Sequence, residues 1–140
     1  MRDADESALL DILIPPSADG RMPGGNAVEF AAYAARRGLA TFIREGVATL
    51  DLAVREKTGR GFAAMQPAEA ADVLRSIERA HAAFLAPLMK HLVQCYYQNG
   101  AVLHGIGVEA RPPFPDGFMV EDGDLTLLEP VLDLGPRYRL

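Results

Sequence analysis

One carboxylate and imidazole pair in this sequence has the spacing of a helical metal site. On a helix, the Glu78-x-x-His81 spacing places both side chains on one face, as in di-iron bundles. Such sites need a second pair of this kind and two further carboxylates from facing helices. The other histidines, His91 and His104, have no carboxylate or histidine three or four residues away. We therefore predict a solvated helix face here and no metal site.

Residues that serve as nucleophiles are few and lie outside the usual catalytic motifs. Ser7, Ser17 and Ser76 are not in a Gly-x-Ser-x-Gly turn. Cys95 lies near the C-terminal end of a predicted helix, whereas a reactive thiol favours a helix N-terminus or a cationic neighbour. The Gly-x-Gly at 59–61 follows no strand, so it does not fit a dinucleotide site. We predict no catalytic residue and no cofactor site in this chain, and a buried structural thiol at Cys95.

Composition narrows the class of protein. The 140 residues fit one domain. The net charge of −5 argues against nucleic acid, which needs clustered Lys and Arg. No window approaches 18 consecutive apolar residues, so we expect no membrane insertion. Residues 1–6 are acidic and polar, unlike a secretory signal. The compartment stays open: periplasmic if the chain is exported with a partner or has lost a signal, otherwise cytoplasmic.

Apolar residues recur at helical spacing over residues 1–100. This predicts an all-α fold, a small helical bundle of about five helices. The first helix is short, with Asp5 or Ser7 as its N-cap and the prolines at 15–16 as its end. A glycine-rich loop follows, and Asn26 is predicted to cap the second helix.

The longer helices carry the clearest periodicity. The third runs from Leu39 and contains Gly46, which costs about 1 kcal/mol relative to alanine and therefore indicates a close helix crossing. The fourth has Pro67 in its first turn. The fifth carries apolar pairs every four residues over 84–97, and we interpret Pro87 within it as a kink rather than as the first turn of a new helix.

The character of the chain changes after residue 100. Asn99-Gly100 is predicted to end the fifth helix in the left-handed conformation. Residues 101–140 are predicted to be an extended, Pro/Gly-rich C-terminal strap that belongs to the same domain as residues 1–100. Their apolar content favours a segment that lies on a surface over a disordered one. The sequence leaves open whether that surface is its own domain or a partner.

Short motifs near both ends of the chain occur in the same order as the motifs of a known protein family. Leu-Ile-Pro at 13–15 precedes an Asp/Gly/Pro loop, and residues 25–30 loosely match a helix start of the form Gly-Val-x-x-Phe. The aromatic pair at 96–97 comes directly after Gln94 and Cys95. In the family that these motifs resemble, a glycine is often found at this point. Residues 105–118 form a Pro-rich tail. Together these motifs resemble the gluconate 2-dehydrogenase subunit 3 family.

The resemblance implies a non-catalytic accessory small subunit. Members of that family pair with a large FAD-dependent sugar or alcohol dehydrogenase of the glucose–methanol–choline type, often with a cytochrome c subunit. The FAD is then expected in the partner. The small subunit commonly carries a twin-arginine signal and escorts the folded flavoprotein to the periplasm. Residues 1–6 contain no such signal, so escort is the least supported part of the expectation.

Five residues are the predicted contacts with a partner: Tyr96, Tyr97, Pro113, Phe114 and Phe118. A different interpretation of the tyrosine pair is the end of a core stripe whose hydroxyls reach the rim. The alternative function is a small-ligand-binding helical protein or an enzyme, with a pocket between helices near Tyr96, Tyr97 and His104.

Replacing the two phenylalanines of the strap distinguishes a strap that packs on its own domain from one that binds a partner. Phe114→Ala and Phe118→Ala should weaken association with a partner if the strap binds between chains. They should lower the melting temperature of the isolated chain if the strap packs on its own domain, because buried aromatic area is lost. If neither association, measured by co-purification, nor melting temperature changes, the strap prediction is wrong.

Overall fold

A computed structural model describes residues 4–110 and 123–134 of the chain. Every regular element in these two ranges is helical, which confirms the predicted all-α class. Contacts divide the chain into two compact units, residues 1–110 and residues 111–140. Residues 101–110 therefore group with the helical unit rather than with the tail.

The described residues form seven α-helices and three 3₁₀ turns. The helices are α1 (Ala4–Leu13), α2 (Phe30–Arg36), α3 (Ala40–Thr58), α4 (Pro67–Ile77), α5 (Ala82–Tyr96), α6 (Gly100–Gly105) and α7 (Glu129–Leu132). The 3₁₀ turns are Gly25–Ala27, Phe62–Ala64 and Leu125–Leu128.

One contiguous apolar cluster fills the interior of the helical unit. Its largest fully buried side chains include Phe30, Leu9, Leu50, Leu88 and Leu92, each at most 1% exposed. These residues come from α1, α2, α3 and α5, so the predicted periodicities of 39–54 and 84–97 mark true core faces. Within the described ranges, the buried class contains no polar or charged residue other than the tyrosines.

Helix α1 ends before the two prolines, as predicted, and it anchors the loop that follows. Asp11 Oδ1 accepts a hydrogen bond from the Asn26 N–H at 2.9 Å. The Ile14 carbonyl accepts one from the Gly25 N–H at 2.7 Å. Asn26 therefore lies in a 3₁₀ turn, and the prediction that it caps the second helix is wrong, since α2 begins only at Phe30.

The predicted cap residues Asp5 and Ser7 lie inside α1, so neither is its N-cap. Asp5 instead bonds across the fold. Its Oδ1 accepts from the Ala63 N–H and its Oδ2 from Arg55, both at 2.8 Å. A charged side chain thus supports the start of a distant 3₁₀ turn, a long-range partnership that local capping rules do not reveal.

Glycines and a proline stand at three helix boundaries. Helix α2 ends at Arg36 and the chain reverses at Gly38, whose φ is +69°. Helix α3 ends on Gly59 in the left-handed conformation, with φ +76°. Pro67 occupies the first turn of α4, where its missing N–H has no helical partner to lose.

Helix α5 runs unbroken through Pro87, which confirms one helix rather than a new start at that residue. Its end was predicted wrongly. Asn99 does not terminate it but caps α6, because Asn99 Oδ1 accepts hydrogen bonds from the N–H groups of Ala101 and Val102. Gly100 begins α6 and has no left-handed backbone.

The expectation of an extended tail also fails over part of its length. Residues 101–105 are helical, and so are residues 125–132. Two capping side chains, Asn99 and Asp124, begin these short helices. Residues 111–122 lie outside the described ranges.

Gly46 marks a close crossing of α3 and α5, as its position in the sequence predicts. A Cβ atom placed on Gly46 would lie 2.1 Å from ring carbons of Phe84. The Phe84 ring also packs against Phe42 of α3, with centroids 5.4 Å apart. The glycine is therefore required by packing, and its cost in helix propensity is offset by the approach of the ring.

The Gly46→Ala variant tests this contact by the sign of its effect. Alanine at an open helical site would stabilise by about 1 kcal/mol. Here we expect a net loss of about 1–3 kcal/mol in the free energy of unfolding, because the methyl group displaces the Phe84 ring. Denaturant unfolding measures it. In a Phe84→Leu background the loss should shrink; a stabilising Gly46→Ala in the wild-type background would contradict the close crossing.

Candidate functional site

The five predicted partner-binding residues have different positions. Tyr96 is buried at 4% exposure, and its neighbour Tyr97 is 52% exposed. The two rings meet edge to face with centroids 5.5 Å apart. Pro113, Phe114 and Phe118 lie outside the described residues. Of the tyrosine pair, only Tyr97 presents a surface that a partner could contact.

Tyr96 has a structural role instead. Its hydroxyl donates a hydrogen bond to the Pro23 carbonyl at 2.7 Å and so ties the glycine-rich loop to α5. Burial, with a smaller contribution from the adjacent Tyr97, raises the pKa of Tyr96 above its ordinary value. The phenol therefore keeps its proton and remains a donor. This confirms the interpretation of Tyr96 as the end of a core stripe.

Among the described residues, half of the exposed large apolar side chains lie in residues 123–134. Leu125, Leu127, Leu128, Val131, Leu132 and Leu134 are each between 51% and 75% exposed. We call this group the leucine face. Scattered exposed apolar residues are common on proteins, but six large ones within ten residues make this segment a candidate interaction surface.

Local capping explains why this short segment is helical. Asp124 Oδ1 accepts hydrogen bonds from the Thr126 N–H at 3.0 Å and the Thr126 hydroxyl at 2.6 Å. These bonds hold the pKa of Asp124 below its ordinary value, with the hydroxyl as the larger cause. Pro130 sits in the first turn of α7, a position that suits proline.

Helical spacing gathers the apolar residues of this segment on one side. In the 3₁₀ turn, Leu125 and Leu128 are three residues apart and eclipse each other. Val131 and Leu132 continue that side into α7. Thr126, Glu129 and Asp133 fall on the opposite side; these three side chains are the polar face.

The helical unit has open grooves between its helices. The first, of about 490 Å³, lies between α1, α2 and α3 and is floored by Phe30, Ala34 and Ile43. Asp51 lines it, and its buried Oδ1 has no hydrogen-bond partner among the described residues. The second groove, of about 520 Å³, lies between α1, α4 and α5. Neither groove is lined by Tyr96, Tyr97 or His104, the residues of the predicted pocket.

The candidate metal pair is separated by the fold. Helix α4 ends at Ile77, Glu78 is its C-cap, and His81 is the N-cap of the next helix. The prediction that both side chains share one helix face is therefore wrong, because a turn intervenes. In the described part of the chain, no three His, Cys, Asp or Glu side chains are grouped so as to hold a metal ion. Cys95 is buried, as predicted.

Searches for similar proteins returned no match among protein-family models, curated proteins or solved structures. Across residues 4–110 and 123–134, no helix has both the length and the apolar character needed to cross a membrane.

The Tyr96 hydroxyl should contribute measurably to stability. Tyr96→Phe removes the donor and leaves the partly buried Pro23 carbonyl without that bond, so the free energy of unfolding should fall by about 1 kcal/mol. Tyr97→Phe is the matched control and should change it by less than about 0.5 kcal/mol. Equal effects of the two substitutions in urea unfolding would refute the assigned role of Tyr96.

Proposed function

We propose that this chain is a non-catalytic accessory small subunit that binds and stabilises a large FAD-dependent dehydrogenase. The leucine face carries the proposal. Six large apolar side chains exposed within ten residues are typical of a surface that a subunit covers on assembly.

The class of partner is supported by the sequence motifs. The Leu-Ile-Pro at 13–15, the aromatic pair at 96–97 and the Pro-rich residues 105–118 resemble the gluconate 2-dehydrogenase subunit 3 family. Small subunits of that family accompany a flavoprotein, often with a cytochrome c subunit. By that resemblance the FAD and the catalytic residues belong to the partner, and escort of the partner to the periplasm is a further part of the proposal.

The interior of the helical unit is compatible with a binding role. Its core side chains are Leu, Val, Ile, Phe, Ala, Met and Tyr with Cys95, and the hydroxyls of Tyr33 and Tyr96 are both engaged in hydrogen bonds. An active site usually brings several polar groups together in a cleft. The described core does not bring such groups together, so this unit supports binding better than catalysis.

A small-ligand-binding protein is the second candidate, and the first groove favours it. Its volume of about 490 Å³ lies in the range of ligand sites, and the Asp51 carboxylate, which pairs with Arg55, lies at its wall. The groove is open to solvent along its length rather than enclosed. An accessory subunit needs no such groove. The two candidate functions therefore differ in what the purified chain retains: a flavoprotein for the subunit, and a small molecule for the ligand-binding protein.

Purification from the native host tests the proposal. The full chain with an affinity tag is expressed there, purified, and examined for visible flavin absorbance and by mass spectrometry. We expect a large FAD-containing oxidoreductase in near-equal amount with the chain. The matched control is Leu50→Asp, which places a charge at a fully buried position and should abolish folding and retention together.

Two other results would contradict the proposed function. Recovery of a stable monomer with no flavin, from cells that produce such an oxidoreductase, would remove it. Retention of a small molecule in the first groove, with no large chain present, would favour the second candidate. In the second case, Asp51→Asn should weaken retention of that molecule.

A further inference from the structure

The first groove runs along one face of α3 and has opposite charges towards its two ends. Ala40, Arg44, Ala48 and Asp51 line it at intervals of three or four residues, the spacing of one helical face. With a rise of about 1.5 Å per residue, Arg44 and Asp51 are separated by about 10 Å along the helix axis. A molecule that lies along α3 in this groove therefore meets a guanidinium near one end and a carboxylate near the other.

Between these charges the groove is apolar. Phe30, Ala34 and Ile43 form its floor and are buried, and Val47 is partly buried beside them. Sites for small molecules are usually of this kind, mostly apolar with a few polar groups that fix the orientation of the ligand. The groove therefore suits an occupant with an apolar middle and polar ends.

Arg44 is available to an anion. Its side chain is exposed at the groove wall, and none of the ion pairs between described residues involves it. The planar guanidinium can donate two parallel hydrogen bonds to one carboxylate, which makes arginine a specific partner for that group. A carboxylate at this end of the groove would form the ion pair that the chain itself does not supply.

The opposite end of the groove has an excess of negative charge. Asp5 and Asp51 both bond to Arg55, at 2.8 Å and 2.6 Å, so among the described residues these two carboxylates share one guanidinium. Glu6 also lines the groove, next to Asp5 in the chain. Charges at a partly buried surface interact more strongly than in bulk water, so this end attracts a cation.

We infer that the first groove binds a linear zwitterion, a molecule whose apolar chain separates a primary amine from a carboxylate by about 10 Å. The carboxylate pairs with Arg44, the amine lies beside Asp5 and Asp51, and the chain covers the apolar floor. This inference names a class of ligand for the groove. It does not rest on the accessory-subunit proposal, since the leucine face takes no part in it.

The second groove does not meet the same requirement. Arg75 and Glu78 line it only three residues apart, and Arg75 pairs with Asp72 of its own helix. These charges therefore lie close together instead of at opposite ends of an apolar floor. A zwitterion of the stated length would gain from them at one end only.

Isothermal titration calorimetry of the full chain with three probes tests the inference. The probes are 8-aminooctanoate, octanoate and octylamine, which share one chain length and differ in their charged groups. We expect 8-aminooctanoate to bind at least about tenfold more tightly than either of the others, because it alone meets both charged ends. The shorter zwitterion 4-aminobutanoate should lose this advantage, since its two ends cannot reach both charges.

Two charge variants test the orientation of the ligand. Arg44→Gln should abolish the preference for 8-aminooctanoate over octylamine and keep its preference over octanoate. Asp51→Asn should reduce the preference over octanoate and keep that over octylamine. A variant that only loosens the fold would weaken all probes alike. The matched control is Arg79→Gln, an exposed arginine between α4 and α5, which should keep both preferences.

Filling the groove tests its location. Ala48 is exposed and lines the groove, so Ala48→Leu should take up part of the space and weaken all three probes at least about tenfold. The melting temperature should change little, because the added side chain enters open space. Ala35→Leu is the matched control. Ala35 is an exposed alanine of α2 outside the groove lining, and its variant should bind within about twofold of wild type.

Three results would overturn the inference. One is 8-aminooctanoate that binds no better than octanoate and octylamine. Another is an Ala48→Leu variant that binds the probes like wild type. The third is a wild-type chain that gives no binding heat with 8-aminooctanoate at millimolar concentration. None of these results bears on the flavoprotein, whose association is measured separately by co-purification.

Discussion

The packing of α1 against two 3₁₀ turns, Gly25–Ala27 and Phe62–Ala64, is the contact on which the helical unit depends. Leu9 and Leu10 are each 1% exposed, and the helix packs on both 3₁₀ turns of the unit as well as on α3 and α4. Gly25 comes so close that an added Cβ atom would lie 2.3 Å from the Leu10 carbonyl oxygen. With Asp11 and Asp5 bonded across to Asn26 and Ala63, one short helix fixes where α2 and α4 begin.

This arrangement places the polar chemistry of the helical unit at its surface. The Tyr33 hydroxyl donates to Gln94 at 2.9 Å, the Tyr96 hydroxyl ties down the Pro23 carbonyl, and Arg55 is shared by Asp5 and Asp51. Apart from the Arg55–Asp51 pair, which lies within α3, each of these bonds joins two elements and so helps to position the helices.

Sequence periodicity predicted the elements whose structure is decided by burial. The apolar spacing over 39–54 and 84–97 predicted α3 and α5, and Gly46 indicated their close crossing, because a core face and a missing side chain both leave a local pattern. Elements whose ends depend on contacts with residues far away in the sequence were predicted less well. Asn26 has the chemistry of a cap, yet Asp11 holds it in a turn. The sequence Asn99-Gly100 is compatible with the end of one helix and with the start of another. The structure has the start of α6 here, because the apolar residues that follow are packed in the core, with Val102 fully buried.

The candidate site in residues 125–134 also has features that the sequence shows and features that it does not. An apolar stretch near residues 125–134 is visible in the sequence, but its continuity across Pro130 depends on the Asp124 cap and on the proline standing in a first turn. The pairing of Glu78 with His81 required one helix where the chain forms a turn between two. Sequence alone therefore identifies the composition of an interaction surface, while the placement of helix ends determines which side chains share it.

Hydrogen–deuterium exchange on the free chain and on its complex with the flavoprotein tests the central claim most directly, since it reports which backbone amides become protected on assembly. The account predicts new protection concentrated in residues 125–134, with the amides of the buried Leu88 and Leu92 turns unchanged. A complex that forms with no added protection in residues 125–134 would contradict it.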